Sequence, residues 1–112
     1  MSVSFGGFNE NTATFKANEE ITKGTPVKMS ASGTVAPCTD GEIFCGIANE
    51  CSGGYASVQL SGAVTAKFSG TAPEVGYENL VCGNDGVKAD GSGREYLVVA
   101  VDKTVSTVTF IM

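Results

Sequence analysis

A chain of 112 residues is long enough for one domain that hides roughly 60 to 70% of the surface its unfolded form exposes, so one modest core is expected and two are not. Apolar residues at 42%, charged residues at 17%, and 15 glycines spread along the whole length exclude disorder and imply many turns. Twelve acidic against seven basic residues give a net charge of -5 with no two Lys or Arg adjacent, which argues against nucleic acid and anionic membranes as partners.

Helical periodicity is almost absent, and short alternating or apolar runs separated by Gly, Asn, Asp or Ser predict strands. In chain order they cover Ala13 to Ala17, Pro26 to Met29, Thr34 to Ala36, Ile43 to Ala48 and Tyr55 to Leu60. They continue with Ala63 to Phe68, Asn79 to Cys82, Val87 to Ala89, Tyr96 to Asp102 and Val105 to Ile111. In "YASVQL" the residues Tyr55, Ser57 and Gln59 alternate with Ala56, Val58 and Leu60. In "STVTFI" Val108 and Phe110 alternate with Thr107 and Thr109. Each reads as one buried and one wetter face. Turn chemistry fills the gaps at Ala31 to Gly33, Ser52 to Gly54, Gly83 to Gly86 and Asp90 to Gly93. The fold class is therefore all-β: a small β-barrel or β-sandwich of about ten short strands.

Sliding residues 24–60 over 76–112 aligns Gly24 with Gly76, Val35 with Val87, Gly41 with Gly93 and Ala48 with Ala100. Apolar character is kept where Met29 meets Val81, Phe44 meets Tyr96, Ile47 meets Val99, Val58 meets Phe110 and Leu60 meets Met112. Shared alternation and turn placement, more than identity, suggest two similar β-meander units. Each would have one apolar face, and the two would close face to face into one barrel or sandwich.

Catalytic chemistry finds little footing. The chain has no His, so a Ser, Thr or Cys nucleophile lacks its usual base. The adjacent pair Glu19 and Glu20 would point to opposite sides of a strand and reads as solvated charge. "DGSG" and "GNDG" lack the alternating oxygen ligands of a calcium loop, and "SGG" and "SGTAP" lack the Lys of a phosphate loop. The four cysteines, Cys38, Cys45, Cys51 and Cys82, form no C-x-x-C pair and have no His partner, so neither a metal nor a cofactor is expected. Four cysteines allow three disulfide pairings, although buried free thiols suit a reducing compartment better. The longest apolar runs are five or six residues, and "MSVSFGGFNENT" has no basic start leading into an apolar stretch. Neither a membrane-spanning helix nor a signal peptide is expected, and folding in a cytoplasm follows.

Among the aromatics, Phe44, Phe68, Tyr96 and Phe110 sit inside strand patterns and are assigned to the core. Phe5 and Phe8 lie among glycines and polar residues, which predicts an extended N-terminal arm over 1–12 ahead of a single β domain over 13–112. Such an arm would dock Val3, Phe5 and Phe8 into a neighbouring subunit.

One further pattern runs through "FKANEEITKGTPVKMSASGTVAPCTDGEIFCGIA", where "KGTPV" opens a strand, "GTVAP" follows the turn and "GIA" closes the unit. It continues through "YASVQLSGAV" and "VGYENLVCGNDGVKAD" to a final "VVAV" strand. Over Ala13 to Met112 the chain resembles the small capsid decoration, or cement, proteins of tailed bacteriophages. The cysteines are not part of that pattern. The resemblance implies a compact β domain on the capsid exterior, made in the bacterial host cytoplasm, with no catalytic residues. It also implies two kinds of contact, one with the major capsid protein and one through self-association on the shell, a trimer being one such arrangement. Its action would be multivalent, a modest contact repeated over the lattice. The alternatives from other classes are a carbohydrate- or host-binding β-sandwich module and another phage part such as a connector or tail subunit.

Overall fold

The computed structural model describes residues 11–84 and 86–112. These form ten strands and no helix: β1 (Asn11–Ala17), β2 (Pro26–Ala31), β3 (Thr34–Pro37), β4 (Gly46–Ser52), β5 (Tyr55–Ser61), β6 (Ala63–Lys67), β7 (Gly76–Gly83), β8 (Gly86–Ala89), β9 (Arg94–Asp102) and β10 (Thr107–Ile111). All ten predicted strands are present, each with at least one end moved, and three of these shifts have a local cause or consequence. β1 begins at Asn11, inside the segment assigned to the arm, because Asn11 and Thr12 pair with Ser61 and Gln59 of β5. β4 begins at Gly46, and β10 begins at Thr107 because Ser106 takes the left-handed φ of 55° that turns the chain. Val3, Phe5 and Phe8 lie outside the described residues.

The first five strands form a closed barrel in the order β1-β3-β2-β4-β5. β1 completes the ring by pairing parallel with β3 and antiparallel with β5. The last five form a sheet in the order β6-β10-β9-β7-β8. Replacing each of these by the strand five places earlier gives β1-β5-β4-β2-β3, the same cyclic order as the barrel. The starts of β3 and β8 differ by 52 residues (86 − 34), as do those of β5 and β10 (107 − 55). Even an irregularity recurs: the β4–β5 ladder steps over Asn49, between Ala48 and Glu50, and the β9–β10 ladder steps over Val99. In the second unit the seam between β6 and β8 is a single parallel bridge, Phe68 to Val87, with the Ser69 N–H donating to the Val87 carbonyl.

There are two apolar cores, which corrects the expectation of one core enclosed between two facing sheets. The first, inside the barrel, holds Ala17, Ile21, Val27, Val35, Ala48, Ala56 and Val58. The second holds Val64, Ala66, Leu80, Val87, Tyr96, Val98, Val108 and Phe110 on the inner face of the second sheet, joined by Phe44 and Ile47 from the first unit. Closure explains the difference. Five strands rolled into a ring of small diameter contribute only Ala and Val to the buried interior, joined by Ile21 from the connection after β1, so a short unit encloses a core without a facing sheet.

Local pattern fails at one place for a related reason. In β5 Leu60 is exposed and Gln59 buried, the reverse of the alternation read from "YASVQL". Gly46 passes so close behind this strand that a Cβ there would collide with the Gln59 carbonyl and the Val58 side chain. The Gln59 amide Nε2 turns to donate to the carbonyls of Ser61 and Ala63, at the passage from one unit to the next.

The connection between β3 and β4 holds the units together. The Gly41 N–H donates to the Cys82 carbonyl and the Cys82 N–H to the Glu42 carbonyl, both at 2.8 Å, so this connection runs alongside β7 as an added pairing. It delivers Phe44 into the second core, stacked on Tyr96 with centroids 5.4 Å apart and edge-on to Phe110 at 6.2 Å. Phe68 is partly buried and packs against the same cluster. Phe44→Ala should therefore destabilise the chain by about 3 to 5 kcal/mol in urea unfolding. The neighbouring, exposed Ile43→Ala should stay within about 0.5 kcal/mol. A Phe44→Ala cost as small as that of Ile43→Ala would contradict the shared core.

Candidate interaction surface

The outward faces of the two units are built by the same ladders and differ in chemistry. On the barrel, cross-strand partners place Thr14 beside Ser57 and Ser57 beside Glu50, then Lys16 beside Tyr55 and Tyr55 beside Ser52. On the second sheet the matching positions are Thr65, Thr109 and Ala100, then Lys67, Thr107 and Asp102. Thr65 and Thr109 hydrogen-bond through their hydroxyls at 2.8 Å. Both rows are polar, as strand faces turned to water usually are.

The next row breaks the likeness. On the barrel it runs through Gln59, Ile47 and Pro26, all buried, with Ile47 only 2% exposed because its side chain leaves the barrel and enters the second core. This row is how the first unit seats on the second. On the second sheet the matching row runs Ala63, Ile111, Leu97, Tyr77 across four paired strands. It is apolar throughout and ends in Tyr77, 71% exposed, next to the exposed Val75. Ala63 is buried and Ile111 and Leu97 are half-buried, so the exposed apolar surface of this row is concentrated at its Tyr77 end, where a protein-facing contact would find it. The sequence signal for it was present in "EYLVVAV": Tyr96 and Val98 face the core, yet Leu97 and Val99 on the other side are apolar too, where a sheet with one wet face would alternate.

The strip is set on a sheet whose position relative to the barrel is held by charge as well as by Phe44. Glu42 accepts from Lys28 Nζ at 2.8 and 2.9 Å, and from the Thr39 backbone N–H and hydroxyl. From the other unit, Lys88 Nζ reaches Asp40 Oδ2 at 2.8 Å. Thus the one connection is clasped from β2 on one side and β8 on the other. The Lys28 and Thr39 hydrogen bonds hold the Glu42 carboxyl at a pKa of about 2, below its ordinary 4.5.

Other candidates resolve more simply. Glu19 and Glu20 follow the end of β1 and are exposed. "DGSG" makes the turn between β8 and β9, where Asp90 Oδ1 accepts from the Ser92 N–H and hydroxyl, which lowers its pKa. Among the described residues no cluster of three or more His, Cys, Asp or Glu could hold a metal ion. All four cysteines are free thiols. Burial raises the pKa of Cys38, Cys45 and Cys82. Neither known protein families, nor curated proteins, nor solved structures include a match to this chain.

Because the Glu42 pKa is lowered on folding, its contribution to stability is complete above pH 4.5 and is lost as pH falls through about 2. Glu42→Gln should lower the thermal midpoint at neutral pH, and its gap from the unmutated chain should close between pH 4.5 and 2. Thermal scans across that range test this, and a gap that stays constant down to pH 2 would contradict it.

Proposed function

We propose that this chain is a non-enzymatic structural protein of a virion, a decoration protein that binds the outer surface of a phage head and stabilises the lattice of the major capsid protein. The resemblance over Ala13 to Met112 motivates the family. The observation that carries a contact function is the apolar strip Ala63–Ile111–Leu97–Tyr77 on the second sheet.

The strip's occupant is a neighbouring copy. Its counterpart on the barrel is covered by a unit of the same topology within the chain, and the strip, half-buried at Ile111 and Leu97 and exposed at Tyr77, offers its outer end to another such unit. A contact of this head-to-tail kind closes into a ring when the rotation allows, and a trimer is the smallest such ring beyond a dimer. Contact with the major capsid protein is then repeated by every member of the ring, and repetition raises the net affinity well above that of one interface. Selective binding to the assembled lattice stabilises it by mass action. The acidic balance keeps the chain soluble before assembly.

A second reading rests on a different patch. Tyr55 is exposed on the barrel beside Thr14, Glu50, Ser52 and Ser57, the combination of one ring and several hydroxyl or carboxylate groups that suits a sugar. Binding of this patch to a glycan array, abolished by Tyr55→Ala, would favour the carbohydrate-binding module.

The primary reading is tested by co-sedimentation with mature, undecorated tailed-phage capsids. Binding should saturate at a fixed ratio to the capsid subunit. Leu97→Glu, which places a charge in the strip, should weaken self-association measured by sedimentation velocity by about tenfold or more. Failure to bind capsids of the matching phage would overturn the decoration reading, and unchanged self-association in Leu97→Glu would overturn the assignment of the strip.

A further inference from the structure

Two cysteines that are 44 positions apart in sequence (82 − 38) line one cleft at the boundary between the units. Cys38 lies just after β3, its backbone N–H held by the Pro26 carbonyl. Cys82 lies on β7, with its N–H and carbonyl both paired to the Gly41–Glu42 stretch. The Cys38 thiol donates to the Ile43 carbonyl at 4.0 Å and the Cys82 thiol to the Gly83 carbonyl at 3.7 Å, and each thiol lies close enough to shift the titration of the other. Both residues line this cleft of about 160 Å³, walled by Pro26 and Pro37 of the barrel and by Gly83 and Gly86 of the second unit. The other two cysteines are placed differently, since Cys45 and Cys51 pack against the barrel core.

We infer that Cys38 and Cys82 are a redox-sensitive pair, which a small-molecule disulfide entering this cleft converts into an intramolecular disulfide that locks the barrel to the second sheet. The inference is independent of the decoration reading. Cys38, the more exposed of the two, loses its proton to solvent, and its sulfur attacks one sulfur of the small disulfide. The S–S bond of the oxidant breaks, a mixed disulfide forms on Cys38, and one small thiol leaves. Cys82 then loses its proton, and its sulfur displaces the second small thiol from Cys38. Two protein S–H bonds have become one S–S bond, and the two electrons and two protons reside on the two released thiols. Closing an S–S bond of about 2 Å calls for side-chain rotation that turns both thiols from their carbonyl partners into the shared cleft.

Burial sets the rate. Cys38 and Cys82 both titrate above the ordinary thiol range, chiefly through desolvation, so the reaction should be slow at neutral pH and accelerate as pH rises. The consequence of closure is large, because the bridge fastens the connection that carries Phe44 to the strand it pairs with. Linking residues this far apart restricts the unfolded chain strongly.

The test incubates the purified full chain with oxidised glutathione, followed by intact mass and peptide mapping. The expected result is loss of two hydrogens per chain, a single crosslinked peptide pair containing Cys38 and Cys82, and a thermal midpoint raised by on the order of 10 °C and restored by reductant. Cys45→Ser and Cys51→Ser should still crosslink, whereas Cys38→Ser and Cys82→Ser should not. Glutathione retained as a stable adduct, crosslinks through Cys45 or Cys51, crosslinks between chains, or no reaction at raised pH would each overturn the inference. Should a serine variant fail to fold, the peptide map of the unmutated chain decides alone.

Discussion

The insertion of the β3–β4 connection beside β7, with Phe44 packed into a core that its own unit does not form, is the constraint on which the rest of the structure depends. Without it the chain would be a closed barrel and a curved sheet joined by the short passage at Gly62. With it, the second sheet gains a stacked ring on Tyr96, an added backbone pairing at Cys82, and two lysine clasps reaching the connection from opposite sides. The exposed ion pairs contribute little individually. Burial of Phe44 among aromatic rings contributes most, and the clasps serve to hold the connection in the path that delivers it.

This arrangement also explains why a repeated pattern yields unequal halves. Both units follow the same cyclic strand order and place their polar rows alike. They part at a single row. In the barrel that row is consumed by the junction, so Ile47 is buried and Gln59 satisfies carbonyls at the passage. In the second sheet the matching row is buried at Ala63, half-buried at Ile111 and Leu97, and exposed at Tyr77.

Much of this was legible in the sequence, because strand alternation and turn chemistry are local. The ten strands, the burial of Tyr96 and Phe110, and the two-faced pattern of "TVTF" follow from residues within a few positions of one another. What escaped depends on distant contacts. The swap of Gln59 and Leu60 follows from the pairing of Gln59 with Ile47 in the junction row and from the irregularity that steps over Leu60 between Gln59 and Ser61. The second core was not foreseen, because a count of total surface does not know that a ring of Ala and Val can close on itself. Phe44 looked like an ordinary strand residue, and only the pairing of Gly41 and Glu42 with Cys82 shows that it serves the other half of the chain. The apolar strip did leave a trace, in the apolar residues on both sides of "YLVVAV". A sequence can show that a second face is apolar without showing what lies against it.

The central claim, that one connection fuses the two units, is tested most directly by native-state amide hydrogen exchange at Gly41 and Cys82, whose N–H groups form the crossing pair. If the units are joined as described, both amides exchange with the slow, global protection of core amides such as Val98. Exchange at the rate of an exposed turn amide, with Val98 still protected, would mean that the connection opens independently and that the two units stand without it.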